Sequence, residues 1–416
     1  MNSCFSDTLL PVETARARLL DAVTPLSECE RLPLTHALDR ITSQDIVAPT
    51  AVPPHATSAM DGFALSSRDI DPQRPFSLTI HQRIAAGQTG VPLAPGCAAR
   101  IFTGAALPPG ADTVVMQENC HVAGSEVTIT PPLAAGEFVR PAGDDVQAGQ
   151  CLVAKGHRLR PQDLGQLASA GVSTVQVFRR LKVALISTGD ELVTPGEPLT
   201  PGKIYNANHY MLHGLLQRFN CQVIDGGCIP DRFSQTLTAL EHAVSEADLV
   251  ITSGGVSVGE EDHVKNALQQ LGELQVWRIA VKPGKPLAFA LVKGRPVIAL
   301  PGNPVSSLVT FCLFGRPVIL RLQGQNHCLP LVVRGRAAFS RTAPGKREEY
   351  LRARWVSDEN REGWLTLYPN QSSGALSSTV WAQGLVRIPV GQIIHQGDLV
   401  DFLPFPALLD GHGLPG

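Results

Sequence analysis

The chain lacks the features that mark several large protein classes. Lysine and arginine total 35 against 37 aspartates and glutamates, and a formal net charge of -2 offers no basic surface for nucleic acid. The N-terminal twenty residues show no long apolar run behind a basic start, so we expect no secretory signal. The longest apolar stretch, residues 305–320, contains Arg316 and is too short to span a bilayer. It predicts a buried helix, and we expect no membrane partner.

Metal-binding and disulfide patterns are also missing. Nine cysteines are scattered over 416 residues without any Cys-x-x-Cys pair, which argues against a disulfide framework and against a structural zinc or redox motif. A reducing cytoplasm fits this pattern best. His209 and His213 stand four residues apart on a predicted helix, but no third ligand lies near them in the sequence. Packing or solvent exposure is the expected role of both rings.

Composition divides the chain into four units. Residues 8–47 show helical periodicity and are expected to join residues 148–180 in a discontinuous N-terminal helical domain. Residues 48–147 are rich in Pro, Gly and Thr with short β-prone runs, which indicates a β-rich insertion. Residues 181–325 alternate strand-like and helix-like patterns, and residues 326–410 return to β patterning. The predicted fold class is therefore multidomain α/β plus β.

The third unit is expected to be a doubly wound α/β domain. Five short apolar runs read as strands, namely LKVALI, CQVIDGG, ADLVI, VWRIAV and RPVIAL. Helical patterns at residues 206–219, 233–245 and 263–271 lie between them. In such folds the loops at the carboxyl ends of the strands meet at one crevice. Five loops should therefore converge there, at residues 187–192, 230–231, 252–262, 282–286 and 301–304.

These loops combine groups that suit a phosphorylated substrate with a divalent metal. Gly254 and Gly255 let backbone amides approach an anion, although a tight turn with Asp262 as a helix cap is the simpler alternative. Lys282 and Lys285 flank a Pro-Gly pair and bring two charges to one region, or are solvated like most surface lysines.

Carboxylates and a helix entry complete this set. Asp190, Glu191 and Asp231 could be helix caps, but hard oxygen ligands facing lysines favour magnesium. The motif PGNP at residues 301–304 leads into a helix whose first amides could receive an anion, while Asn303 or Ser306 could instead be only a cap.

Six motifs together resemble one family. The stretch TSGGVSVGEED at residues 252–262, KPGKP at 282–286 and PGNPVS at 301–306 are similar to signatures of MoeA-type molybdopterin molybdenumtransferases, whose relatives include the C-terminal domain of gephyrin. The resemblance extends to SAMDGFA at 58–64, IFTGA at 101–105 and RPAGDD at 140–145. It covers essentially the whole chain.

The resemblance implies an activity and an assembly. The activity is insertion of molybdate into adenylylated molybdopterin, with Mg²⁺ required and AMP released. The assembly is an elongated homodimer whose active clefts are shared between chains. Two rival functions are molybdopterin adenylyltransferase, whose resemblance is confined to the α/β part, and a gephyrin-like scaffold without enzymatic activity. Candidate protein partners are the adenylyltransferase and the cofactor-accepting enzymes; which of them act, and whether tungstate replaces molybdate, stays open.

The resemblance also assigns residues, position by position. The catalytic candidates are Asp61, Asp145, Glu191, Asp231 and Asp262, of which the last three are candidate magnesium ligands. The substrate-binding candidates are Thr103, Gly254, Gly255, Ser257, Arg278, Lys282, Lys285, Pro301, Asn303, Pro304, Ser306, Arg347 and Ser373.

Some positions depart from the family pattern. Arg278 stands where a lysine is common, which keeps the charge but changes the donor geometry. The match is looser in the last unit. Either Arg347 or Arg352, and any one of Ser372, Ser373 and Ser378, is therefore the candidate anion contact there.

Overall fold

The computed structural model describes residues 9–256, 263–356 and 363–410. Three six-stranded sheets dominate this part of the chain, and short two-stranded pairs connect them. The predicted multidomain α/β plus β architecture is confirmed. The exact division into four units stays a prediction.

A mixed sheet forms the centre of the α/β part. Its strands lie in the order Gln222–Ile229, Lys182–Thr188, Leu249–Ser253, Arg295–Leu300, Ala288–Val292 and Gly272–Trp277. The first four pair in parallel, whereas Ala288–Val292 is antiparallel to both its neighbours. Val183 and Leu185 pack into one core and Ala184 and Ile186 into another, on opposite faces. Both faces are thus buried, as a doubly wound sheet requires.

Helices cover the two faces of this sheet. They are Ala207–Arg218, Phe233–Glu246, His263–Leu271 and the run formed by Pro304–Thr310, Phe311–Gly315 and Arg316–Leu322. By length and composition this last run could cross a membrane. However, 94% of an apolar 18-residue stretch within it is buried inside the fold. Its Arg316 donates to the Cys328 carbonyl at 2.7 Å, and burial lowers the pKa of Arg316 to about 10. The prediction of a buried core helix is confirmed.

Two features of the sheet differ from the sequence prediction. The run VWRIAV is not one strand, because Arg278 has a φ of 62° and breaks it after Trp277. Beyond the break, Val281–Lys282 pairs in parallel with Glu348–Trp355 of the last sheet. The strand Ala288–Val292 was not predicted either, and it forms a hairpin with Arg295–Leu300 through Lys293 and Gly294. No Gly or Pro near Arg278 marks the break, so local composition gives no signal for it.

The segments on either side of the β-rich insertion are joined by antiparallel strands. Cys29–Pro33 pairs with Thr174–Phe178, and Ile46–Val47 pairs with Cys151–Val153. The first helix, Val12–Asp21, packs into the core of the α/β sheet, whereas Pro161–Ser169 packs with the joined strands. The periodicity predicted for residues 8–47 therefore yields one ten-residue helix followed by strands.

The insertion is built on the second six-stranded sheet. Its order is Thr113–Met116, Gly62–Leu65, Cys97–Ile101, Phe76–Ile84, Glu126–Ile129 and Cys120–Ala123. A separate antiparallel pair, Thr57–Ser58 with Val139–Arg140, brings the two ends of the insertion together. The β-rich character predicted for this segment is confirmed.

The last sheet closes on itself. Its order is Val281–Lys282, Glu348–Trp355, Trp364–Leu367, Val333–Ala337, Leu399–Pro404 and Gly384–Ile388. Glu348–Trp355 also pairs with Gly384–Ile388, which closes five of the strands into a barrel, while Val281–Lys282 pairs only with Glu348–Trp355. The short helices Ser377–Trp381 and Phe405–Leu409 flank it.

Candidate functional site

Two acidic loops meet at the carboxyl edge of the α/β sheet. The Asp190 amide donates to Asp231 Oδ2 at 3.1 Å, and the Asp231 amide donates to Asp190 Oδ1 at 3.1 Å. This reciprocal pair fixes the loops that follow the parallel strands Lys182–Thr188 and Gln222–Ile229. Each carboxylate keeps a second oxygen that accepts no hydrogen bond from the described residues. The sequence left Asp190 open as a helix cap or as one of several carboxylates suited to magnesium, and it did not predict the reciprocal pairing with Asp231.

Glu191 lies beside this pair. A Cβ added to Gly189, whose φ is 146°, would collide with Glu191 Oε2, so the carboxylate folds back over its own loop. Burial raises the pKa of the nearby Cys228 thiol, and the charges of Glu191, Asp231 and Asp190 raise it further. The three carboxylates therefore create a local negative field at this edge.

The glycine loop packs against the first acidic loop. Gly254 and Gly255 have φ values of 99° and 66°, and a Cβ on either would lie 2.9 Å from Thr188 Oγ1. The Gly254 amide donates to the Leu300 carbonyl at 3.0 Å, and Gly302 lies against Gly254. Only glycine fits this turn, because both the backbone conformation and the neighbouring atoms exclude a side chain. Ser257 and Asp262, predicted further along the same loop, lie outside the described residues.

Asn208 ties two of the loops together and was missed in the sequence. Its side-chain amide donates to Ser253 Oγ at 3.0 Å and to the Gly302 carbonyl at 2.7 Å. Asn208 is buried at the start of the helix Ala207–Arg218, and its partners are the last residue of the strand Leu249–Ser253 and the loop that follows the strand Arg295–Leu300. No motif marked this residue, because its role depends on two partners far away in the chain.

We expect Asn208→Ala to lower the free energy of unfolding by about 1–3 kcal/mol, because the buried Gly302 carbonyl and Ser253 hydroxyl lose their donor. Urea unfolding measures the change. Gln217→Ala is the matched control, since Gln217 lies exposed on the same helix. If both variants unfold at the same urea concentration, Asn208 does not hold the loops.

The lysine loop, residues 282–286, packs against the helix that carries Ser306. Lys282 and Lys285 are exposed. Between them Gly284 has a φ of 109°, and a Cβ there would lie 2.5 Å from Thr310 Cγ2. Lys282 Nζ donates to Glu349 Oε1 at 3.2 Å, an ion pair with the last barrel that the sequence did not predict. The two lysines are thus placed beside one helix, and one of them is held by a buried carboxylate.

The PGNP motif leads into that helix as predicted. Pro301 follows the strand Arg295–Leu300, and Pro304 is the first helical residue. Asn303 occupies the N-cap position, but its side chain makes no capping hydrogen bond. Instead, the Ser373 carbonyl accepts from the Val305 amide at 3.0 Å. Ser373 therefore lies at the helix entry, in contact with the residue that precedes Ser306.

The structure separates the alternatives in the last barrel by burial. Arg352 is fully buried and donates to Ser378 Oγ at 3.0 Å and to the Ser372 carbonyl at 3.1 Å. Burial lowers its pKa to about 10. Arg347 is only partly buried, and its guanidinium donates to the Val281 carbonyl at 3.3 Å, one residue from Lys282. Arg352 and Ser378 thus support the loop, whereas Arg347 and Ser373 lie beside the lysine loop and the helix entry.

A second group of predicted residues lies on the β-rich insertion. Asp61 Oδ1 accepts from the Thr103 amide at 2.8 Å and from the Thr103 hydroxyl at 2.9 Å. Both hydrogen bonds lower the pKa of Asp61, and the bond from the Thr103 amide has the larger effect. Asp145 is exposed after the strand Val139–Arg140, and its amide donates to the Val52 carbonyl at 3.0 Å. Within the described ranges, no hydrogen bond or ion pair joins this group to the α/β loops.

The remaining positions considered in the sequence are Arg278, His209 and His213, which lie near the sheet. Arg278 follows the strand Gly272–Trp277, and its carbonyl accepts from the Leu10 amide at 3.4 Å. The rings of His209 and His213 stack with centroids 6.1 Å apart, and His209 Nε2 lies 3.7 Å from Asp225 Oδ2. No group of three His, Cys, Asp or Glu residues suited to a metal occurs in the described part of the chain.

Three family models match consecutive parts of the chain. They are the MoeA N-terminal region (domain I and II) at residues 10–171, a probable molybdopterin binding domain at residues 184–321 and the MoeA C-terminal region (domain IV) at residues 334–405. Together they span all but the connecting and terminal segments.

Relatives and solved structures agree with these matches. The molybdopterin molybdenumtransferase of Haemophilus influenzae is 41% identical over 76% of this chain and 78% of its own length. That of Synechococcus elongatus is 36% identical over 87% and 91%. Two structures of the MoeA protein of Pyrococcus horikoshii superpose with TM-scores of 0.81 and 0.84, at 32% and 28% identity, covering 96% and 95% of this chain and 99% and 100% of theirs. The chain therefore belongs to the MoeA family of molybdopterin molybdenumtransferases, which are enzymes of molybdenum cofactor biosynthesis.

Proposed function

We propose that this enzyme inserts molybdate into adenylylated molybdopterin in a magnesium-dependent reaction that releases AMP. The observation that carries the proposal is that acidic and cationic loops lie at the same end of one sheet. The Asp190–Asp231 pair follows two of its parallel strands, while Lys282 and Lys285 lie beside the helix that follows Arg295–Leu300. A phosphoanhydride and a tetrahedral oxyanion need this combination of anionic and cationic groups.

The carboxylates fit magnesium better than a softer metal. Mg²⁺ usually takes one or two protein carboxylates and completes its shell with water and substrate phosphates. Asp190 and Asp231 each leave one oxygen without a donor among the described residues, and Glu191 lies on the same loop as Asp190. Asp231 and Glu191, with Asp262 from the undescribed part of the loop, would hold the ion. When bound, magnesium supplies charge that polarises the phosphoanhydride.

The other site residues bind and orient the substrates. We assign substrate contact to the turn at Gly254 and Gly255, because this turn packs between the first acidic loop and Gly302 of the PGNP loop. We assign molybdate binding beside the dithiolene to Lys282, Lys285 and Arg347 with the hydroxyls of Ser306 and Ser373. Arg347 contacts the residue before Lys282, and Ser373 contacts the residue before Ser306. The two dithiolene sulfurs bind molybdenum as one molybdate oxygen leaves with the two thiol protons as water. One water is added across the phosphoanhydride bond, which releases AMP and leaves a phosphate on the pterin.

A direct assay tests the reaction. Purified enzyme is mixed with adenylylated molybdopterin, molybdate and Mg²⁺, and AMP and active cofactor are measured. We expect AMP to form only when all three are present. AMP formation without molybdate, or no AMP at all, would contradict the proposal. Tungstate in place of molybdate shows whether the site distinguishes the two oxyanions.

Changing both Lys282 and Lys285 to Gln is expected to raise the molybdate concentration for half-maximal activity by at least about tenfold. Neutral amides cannot replace two charge-assisted contacts, each worth about 1.5–3 kcal/mol. Initial rates of AMP release over a range of molybdate concentrations give the shift. Lys293→Gln is the control, because Lys293 is an exposed turn residue of the same sheet.

Circular dichroism shows whether the double variant is folded. Because Lys282 also pairs with Glu349, a separate Lys285→Gln variant isolates the effect on the anion from the loss of that ion pair. An unchanged molybdate dependence in the folded double variant would mean that the lysines are ordinary solvated residues.

We further propose a cytoplasmic homodimer in which the insertion of one chain completes the α/β cleft of the other. Among the described residues, the hydrogen bonds of Asp61, Thr103 and Asp145 reach no α/β loop of the same chain, which supports this arrangement. The adenylyltransferase that makes the substrate and the enzymes that accept the cofactor are its proposed protein partners. A purely adenylylating enzyme would need only the α/β part, whereas the family matches extend over both flanking parts.

A further inference from the structure

Two arginines face each other on neighbouring strands of the insertion. The strands Phe76–Ile84 and Cys97–Ile101 pair in parallel, and their register places Arg83 directly opposite Arg100. Side chains in register on adjacent strands project from the same face of the sheet. Like charges that face each other on neighbouring strands destabilise a sheet. The Arg83–Arg100 pair therefore lowers the stability of the sheet, and another function of the two arginines must offset this loss.

Aromatic rings, rather than carboxylates, surround the two guanidinium groups. Arg83 Cζ lies 4.5 Å and Arg100 Cζ 4.8 Å from the centroid of the Phe102 ring, and Arg100 also lies 5.2 Å from Phe63. Arg100 donates to the Gly62 carbonyl at 3.0 Å and to Gln117 Oε1 at 2.5 Å. Across the described residues, neither arginine has an ion pair, and Arg83 has no hydrogen bond. The rings orient the cations without neutralising them.

The arginine pair lies at the same end of the sheet as Asp61 and Thr103. Phe102 immediately precedes Thr103, and the Gln117 amide donates to the Asp61 carbonyl at 3.0 Å. Asp61 and Glu118 bring two carboxylates to the side of this end that Arg100 occupies, whereas Arg83 has no ion pair among the described residues. In the proposed dimer this end would face the partner's cleft.

We propose that Arg83 and Arg100 form a phosphate subsite that binds the phosphoanhydride of the adenylylated substrate. This inference rests on the proposed function, and it assigns to the insertion a substrate contact beyond Asp61, Thr103 and Asp145. Guanidinium groups match phosphate oxygens with paired donors, and Arg83 keeps all of its donors available. Each phosphate of a phosphoanhydride diester carries one negative charge, so the substrate would supply the counter-charge that Arg83 lacks among the described residues. Binding would offset the repulsion between the two arginines.

Binding of ADP-ribose tests the subsite without requiring turnover, because this compound joins adenosine to a sugar through the same type of phosphoanhydride. Isothermal titration of the full-length protein with Mg²⁺ gives the affinity. We expect Arg83→Gln and Arg100→Gln each to weaken binding by at least about tenfold. Arg74→Gln should bind like the wild type, since Arg74 is exposed on the same insertion and its side chain has no partner among the described residues. A titration with AMP shows whether the adenylate phosphate alone is contacted.

Thermal unfolding of the ligand-free protein separates binding from packing. Arg83→Gln removes one of two facing like charges, so we expect the same or a higher Tm. A lower Tm with unchanged ADP-ribose affinity would show that the arginines serve only packing, and the proposal would be wrong. It would be equally wrong if the wild type bound no ADP-ribose at millimolar concentration. AMP release by the wild type, measured in parallel, tests the proposed function independently of this result.

Discussion

Asp231→Asn is expected to lower the rate of AMP release by at least about a hundredfold while the protein stays folded. The asparagine oxygen can still accept the hydrogen bond that Asp231 Oδ2 accepts from the Asp190 amide, so the two loops should keep their geometry. The variant loses only the charge. Loss of charge at a site that stabilises a breaking phosphoanhydride is expected to cost about two orders of magnitude. Initial rates at saturating molybdate and Mg²⁺ measure the effect.

Two further variants make this result interpretable. Asp21→Asn is a control, because Asp21 is exposed at the end of the helix Val12–Asp21 and has no side-chain partner among the described residues. Asp190→Asn asks whether the other carboxylate of the pair contributes as well. If folded Asp231→Asn releases AMP within about threefold of the wild-type rate, the acidic loops are structural. An increased Mg²⁺ requirement in the variant would support a role in holding the ion.

Mixing two inactive chains is expected to restore activity if the cleft is shared. Asp61→Ala removes a carboxylate of the insertion, and Asp231→Ala removes one of the α/β loops. In a heterodimer of these chains one cleft collects both defects and the other is intact. Random exchange makes about half of the dimers heterodimers, so about a quarter of all clefts would be intact. Co-refolding followed by the AMP assay should therefore recover about a quarter of wild-type activity.

The control for this experiment is each variant refolded alone, which should stay inactive. Differently tagged chains and two-step affinity purification verify that heterodimers form. Heterodimers as inactive as their parents would place all these carboxylates in one chain's site. A protein that stays monomeric at assay concentrations would contradict the dimer directly.

Much of the fold and of the candidate site follows from local patterns. Apolar runs such as LKVALI and RPVIAL have the length and β-branched content of buried strands, and they form strands in the structure. Gly254 and Gly255 adopt conformations that only glycine tolerates, which is why a glycine pair after a strand is informative. The Pro-led entry at Pro304 also forms as predicted.

Other features could not be derived from the sequence because they depend on distant partners. Val281 and Lys282 leave the α/β sheet to pair with the last barrel, where Lys282 meets Glu349 across 67 positions. The sequence does not distinguish Arg347 from Arg352. In the structure, Arg352 is buried among carbonyls, whereas Arg347 lies beside the lysine loop. Burial and hydrogen-bond satisfaction are properties of the packed fold, and neighbouring residues in the chain do not reveal them.

The sequence by itself determined the doubly wound core, the glycine and proline turns and the identity of the groups available for chemistry. These depend on side-chain size, branching and backbone freedom, which act over a few residues. Only the tertiary structure decided which of these groups meet: Asp190 with Asp231, Asn208 with Gly302, and Arg83 with Arg100. Such meetings require several segments to be packed at once, because each contact is held in place by the strands and helices on both sides of it.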